Sequence, residues 1–249
     1  MNEKSSSDWS PTNAWTEKRA SSEMSGESLY DPMYLPTYDE VEAARTKVLA
    51  RAGGAAEWGW PRDNEGNPIY EFLNKEYLGA LGGYLSQRAE AFGVIENDPL
   101  TILEVGAGNG RLAHFLQQGF EAQSPGIIRI VATDSGKSGM RTTFPVEMID
   151  YKKALDKYSP KVVISSWMPY GVDFTSDFRA TQSVKEYVLI GEVNGCCGDP
   201  EDTWGYIGDE FEREVLDDVS RFQICRTDNV EMGPSGLGHS QTVSFRRKE

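Results

Sequence analysis

From Ile102 the chain reads Ile-Leu-Glu-Val-Gly-Ala-Gly-Asn-Gly to Gly110, and a helical pattern follows from Arg111 to Gln118. An apolar strand running straight into alternating glycines and then a helix is a ligand cradle. Glycine lets a ligand approach the backbone with no Cβ in the way. The first N–H groups of the helix have no partner of their own and point at whatever sits there. Two more apolar runs end in acids, Asp134 in RIVATD and Asp150 in VEMID. Carboxylates so placed accept hydrogen bonds from hydroxyls or an amine. A further run ends in Ser165-Ser166-Trp167-Met168-Pro169-Tyr170-Gly171, whose aromatic faces can stack on a planar group or hold a cation. Another ends at Glu192, which is placed to orient an amine or act as a base.

These residues need a frame that brings strand ends together. Strands are predicted at 101–105, 127–133, 146–149, 162–166 and 187–191, with helices at 110–118, 151–158 and 175–184 between them. That alternation implies a parallel sheet covered on both faces. Toward the end, Ile207, Phe211, Val215 and Val219 recur at helical spacing and predict a helix over 206–219. Strands follow at 221–227 and 241–247, joined by a glycine-rich turn at 231–239. So short a link predicts an antiparallel pair. The expected fold is α/β: a Rossmann-like, mostly parallel seven-stranded sheet with a terminal antiparallel hairpin, plus an N-terminal helical cap.

The cap is expected at 31–92, after a mobile arm at 1–30 that carries Trp9 and Trp15, and before the main domain at 93–249. Thr37 followed by Glu40 has the form of a capping box opening a helix over 38–51, which Gly53-Gly54 would end. Residues 57–68 read as a turn-rich aromatic loop, and Ile69 to Phe92 as a helix that Gly79, Gly82 and Gly83 could kink. The cap's aromatics, Tyr34, Tyr38, Trp58, Trp60, Tyr70 and Tyr77, suit a small planar molecule.

The glycine loop lacks the dinucleotide spacing, because Arg111 stands where G-x-G-x-x-G would place its third glycine. It resembles motif I of the class I S-adenosylmethionine-dependent methyltransferases, with Glu104 as the acid before the glycines. The resemblance covers about residues 93–249 and includes the acids at the second and third strand ends and the terminal hairpin. It implies S-adenosyl-L-methionine as cofactor, held by Glu104, Gly106, Ala107, Gly108, Asn109, Gly110, Asp134, Ser135, Ile149, Asp150 and Ser166. Asp134 would take the ribose hydroxyls and Asp150 the adenine amine. Trp167, Met168, Pro169, Tyr170 and Glu192 would meet the methyl acceptor. Met168-Pro169-Tyr170 is similar to the end of the Asn/Asp-Pro-Pro-Tyr segment of amino-directed members, but Trp167 replaces the acid or amide that would hold an amine. Trp167, Tyr170 and His239 are the candidate catalytic side chains, His239 because its turn is expected at the ligand-binding edge. The activity implied is methyl transfer to N, O or S of a small molecule. A protein or RNA acceptor, and a non-catalytic protein that keeps the cofactor site, stay open here.

Composition bounds the partners. The 249 residues carry a formal net charge of −14, which opposes non-specific nucleic-acid binding and not a cationic sulfonium. No apolar run reaches the ~20 residues of a membrane span, and the N-terminus has no basic-then-apolar leader. Cytosol, or cytosol and nucleus, is the expected location. Three cysteines, Cys196, Cys197 and Cys225, make neither a disulfide framework nor a metal-ligand spacing, so no metal is expected. Oligomeric state is not legible.

Overall fold

The computed structural model describes residues 26–95, 98–193, 197–205, 209–228 and 238–248. Its centre is one seven-stranded sheet. The strands are β1 (Leu100–Val105), β2 (Ile128–Asp134), β3 (Glu147–Met148), β4 (Val162–Ser166), β5 (Glu186–Glu192), β6 (Phe211–Val215) and β7 (Ser240–Arg247). They lie in the order β3-β2-β1-β4-β5-β7-β6. All are parallel except β7, which runs antiparallel to both β5 and β6. The helices are α1 (Tyr38–Leu49), α2 (Gly54–Gly59), α3 (Lys75–Ala91), α4 (Arg111–Gln123), α5 (Tyr151–Tyr158), α6 (Thr175–Ala180) and α7 (Asp217–Ser220). The fold is therefore the expected Rossmann-like, mostly parallel sheet with an antiparallel end. Among the described residues no helix is long and apolar enough to cross a membrane.

The central strands are apolar on both faces because both are covered. Leu100, Ile102, Ile164 and Val188 pack with Leu81 and Leu85 of α3, Phe115 and Leu116 of α4 and Val219 of α7. The alternate residues Leu103, Val105, Val163 and Leu189 pack with Leu155 of α5, Phe178 of α6, Trp204 and Phe211. This is the period of two expected of a strand. A smaller core gathers Val41, Val48, Trp58, Ile69, Phe72 and Ile224, with Trp58 stacked on Phe72 at 4.3 Å.

The capping box is present. Glu40 N–H donates to Thr37 Oγ1 (3.3 Å) and Thr37 N–H to Glu40 Oε2 (2.6 Å). Thr37→Ala should cost about 1 kcal/mol and lower the melting temperature by roughly 2–4 °C. An unchanged melting curve would show that the Tyr38 N–H to Glu76 bond (2.6 Å) holds this helix start instead.

Several boundaries differ from the sequence reading. Gly53 does not end the first helix. At φ +80° it opens α2, within the stretch read as a loop. The next helix begins at Lys75 and not Ile69, because Asn74 caps it by accepting from Tyr77 N–H (2.8 Å). It runs unbroken through Gly79, Gly82 and Gly83, two of which are buried on its packed face.

The largest correction is near the end. Residues 211–215 form strand β6, not the middle of a helix, and 221–227 form a turn with an isolated bridge, not a strand. A spacing of four fits both periods, and the antiparallel pairing with β7 resolves it. Phe211 is buried, Glu212 and Glu214 are exposed, and Arg246 of β7 bridges those two acids at 3.2 and 2.6 Å. The last two strands do pair antiparallel, but the link between them contains α7 and is no tight turn. The region 231–237 lies outside the described residues, as do 1–25, Asn194 and Cys196.

Candidate functional site

The carboxyl ends of β1, β2, β3 and β4 open into one cavity of about 760 Å³, within the ~300–1,000 Å³ usual for small-molecule sites. Fold dictates the place, since ligands in open α/β sheets sit beyond the strands' carboxyl ends.

The glycine loop forms its floor. Gly106, Gly108 and Gly110 have φ of +68°, +57° and +80°, a region that L side chains avoid. A Cβ on Gly106 would meet nothing within 4 Å, so its backbone faces open space. Gly110 sits behind the loop as the N-cap of α4, where a Cβ would come within 2.6 Å of Val146; it is not part of the lining.

Asp134 reaches across to this loop. Its Oδ2 accepts from Gly108 N–H (3.0 Å) and its Oδ1 from Gly136 N–H (2.7 Å). Each oxygen keeps a lone pair for a further donor. Asp150 caps α5 by accepting from Lys152 N–H (3.1 Å). Ala107, Asn109, Ser135, Ile149 and Ser166 join these acids in the lining, so the cofactor set named from sequence converges here, Gly110 excepted.

Glu104 is buried and accepts from Ala113 N–H (3.1 Å). Burial pushes its carboxyl up to about 8. Arg111, the first residue of α4, is also buried, and its guanidinium donates to Tyr34 O (2.5 Å). Its Nε has no partner among the described residues. Burial lowers this guanidinium to about 10, with Asp63 and Asp31 opposing, which leaves it cationic at neutral pH.

The opposite end of the cavity belongs to β4. Trp167 has φ +51°, a strained value for so large a residue. It is held by its N–H to Ile190 O (2.7 Å) and its Nε1–H to Glu71 Oε2 (2.9 Å). Pro169 and Tyr170 stand at the rim, Tyr170 being 71% exposed, while Met168 is buried and accepts from Phe174 N–H through sulfur (3.4 Å).

Two expected residues are elsewhere. Glu192 is fully buried and accepts from Gly238 N–H (3.0 Å), outside the lining. His239 lies in a separate small cleft with Tyr38 and Arg45, its Nδ1 2.9 Å from Asp228 Oδ1. That carboxylate holds the imidazole above its ordinary range. His239 immediately precedes β7, and its side chain meets Asp228 beside α1 and does not line the β1–β4 cavity.

Sequence reasoning also missed residues. Glu71, Asp63, Arg226, Met140 and Phe174 line the cavity. The sequence alone does not separate Tyr70 and Trp60 from the other cap aromatics, Trp58 and Tyr77. Trp58 and Tyr77 are buried in the cores, whereas Tyr70 lies 5.4 Å from the Trp167 ring.

Glu71 is buried, and burial pushes it up to about 8 against the bonds donated by Trp167 and Ser240 Oγ. A carboxyl raised in the folded state contributes stability present below its unfolded pKa, near 4.3, and lost as pH rises toward the folded value. Glu71 and Glu104 both pull this way. Stability should therefore fall between pH 5 and 8, by of order 1 kcal/mol or more. Urea titrations at pH 5.5, 6.5 and 7.5 measure it, and Glu71→Gln or Glu104→Gln should flatten the slope. A slope unchanged in both variants would refute this assignment.

No protein-family model matches the chain, and no curated protein matches it. Among solved structures it is similar to the DszA carbon methyltransferase, at 14% identity over 68% of this chain and 52% of that one, with a TM-score of 0.43. It is similar to the CurJ carbon methyltransferase at 10% identity, over 91% and 62% of the two chains, with a TM-score of 0.44. It is also similar to the plantazolicin methyltransferase BamL, whose structure contains SAH, at 10% identity over 84% and 100%, with a TM-score of 0.38. The chain thus spans about half the length of the DszA structure.

Proposed function

We propose that this chain binds S-adenosylmethionine in the β1–β4 cavity and transfers its methyl group to N, O or S of a small molecule. The observation that carries the reading is the meeting of the open glycine loop with the carboxylates of Asp134 and Asp150 in one cavity. The residues fit the group. Asp134 would offer lone pairs to two ribose hydroxyls, Asp150 would accept from the adenine amine, and Ile149 would supply an apolar wall. The orphaned Nε of Arg111 suits the amino-acid carboxylate of the cofactor.

When bound, the cofactor supplies an activated methyl on a sulfonium. The chain's part is alignment. Trp167, pinned by Ile190 and Glu71, presents a fixed aromatic wall at the acceptor end. Proximity and orientation supply up to ~7–11 kcal/mol, so a nitrogen that arrives unprotonated needs no dedicated base.

Calorimetric titration with S-adenosylmethionine, S-adenosylhomocysteine and NAD tests this. The first two should bind and NAD should not. Label from methyl-labelled cofactor should then enter the small-molecule fraction of a cell extract. Label confined to macromolecules would move the acceptor to protein or RNA, and binding with no turnover on any fraction would leave a non-catalytic binding protein.

A further inference from the structure

At the acceptor end of the cavity stands a cation that methyl transfer itself does not use. The guanidinium carbon of Arg226 lies 4.4 Å from the centre of the Tyr70 ring, 5.1 Å from Trp60 and 5.5 Å from Trp167. The backbone fixes it there: Arg226 N–H donates to Tyr70 O (3.1 Å), and two residues along Phe72 N–H donates to Ile224 O (2.8 Å). Aromatic rings take none of the guanidinium's conventional hydrogen bonds, so its donors keep the fork that matches an oxyanion. Among the described residues no carboxylate pairs with Arg226. Glu71, on the neighbouring segment, is already engaged by Trp167 and Ser240, and burial favours its neutral form near pH 7. The charge of Arg226 is therefore left uncancelled, in a cavity wall of a chain with net charge −14. The global field repels anions. A local cation, ringed by aromatics and open to the cavity, selects a charge that the rest of the surface turns away.

We propose that Arg226, held among Trp60, Tyr70 and Trp167, is the recognition point for a carboxylate or phosphate group on the methyl acceptor. The inference names the acceptor class for the cavity assigned above to methyl transfer, and it rests on that reading.

The test uses the full chain loaded with S-adenosylhomocysteine and three probes of similar shape: benzoate, phenyl phosphate and neutral benzamide. One of the anions should bind about tenfold or more tighter than benzamide, and which of the two wins identifies the oxyanion. Arg226→Gln should erase the preference. Arg226→Lys, which keeps the charge but loses the fork, should weaken it without erasing it, and serves where the glutamine variant does not fold. Equal affinity for the three probes, no binding of either anion, or a preference unchanged in these variants would overturn the proposal while S-adenosylhomocysteine still bound. Failure of S-adenosylhomocysteine to bind the parent protein would instead remove the methyl-transfer reading.

Discussion

Asp134→Ala should weaken S-adenosylhomocysteine binding by roughly a hundredfold in a protein that still folds. Two losses combine. On the proposed reading a charge-assisted pair of bonds to vicinal hydroxyls disappears, which at the low end costs about 3 kcal/mol, and about 2.7 kcal/mol corresponds to a hundredfold. The loop also loses an anchor, because Asp134 holds Gly108 N–H at 3.0 Å and Gly136 N–H at 2.7 Å. Asp134→Asn separates the two. Its amide oxygen can still accept from one N–H, but the charge is gone, so a loss nearer tenfold is expected. Asp134 is half-buried at a strand end and outside both large cores, so neither variant should prevent folding. Calorimetry measures the affinity, and a melting curve checks the fold. Unchanged affinity in folded Asp134→Ala would remove S-adenosylmethionine from the site.

The reason Asp134 could be named from sequence is also the reason Arg226 could not. Strand, glycine loop and strand-end acid are local patterns. β1 and β2 pair in parallel register from Leu100–Ile128 to Val105–Thr133, so the ends of adjacent apolar runs must fall together, and their polar last residues share a cavity. Arg226 arrives by a tertiary route. Its segment has the apolar pattern of a main-sheet strand, but it turns away and pairs with Tyr70–Phe72 beside the small core. Nothing in the spacing of RFQICRT reveals that partner. The helix drawn over 211–215 failed for a related reason. An edge strand with one buried face and charged outward residues shows the same four-residue apolar spacing as an amphipathic helix, and its pairing with β7 decides. The capping box at Thr37 was legible because a cap is a four-residue device with no distant partner.

The largest stability effect is expected at the far side of the sheet, at Arg88. β5 is buried along its whole length, and it begins with a carboxylate, Glu186, whose side chain is 0% exposed. Arg88 of α3 supplies the countercharge at 2.5 Å, and Tyr84 Oη and Ser244 Oγ donate to the other oxygen at 2.5 and 2.8 Å. Arg88→Met fills similar volume but leaves the buried carboxylate with two neutral donors. Breaking a buried pair on one side costs about 3–5 kcal/mol, far more than the lost attraction in water would suggest, because the remaining charge cannot be solvated. One further result separates this cause from lost packing. The double variant Arg88→Met with Glu186→Gln should regain part of the stability, since no ion remains to be buried. Urea unfolding of the parent, Arg88→Met and the double variant tests this. A loss that is the same in the double variant would mean that Arg88 acts through its packing over Phe92, 4.9 Å from the ring centre, and not through its charge. The consequence reaches the cavity, because the same strand supplies Ile190 O to the N–H of Trp167. If β5 loosens, the strained tryptophan at φ +51° loses the backbone bond that pins it, and the cavity loses its Trp167 wall.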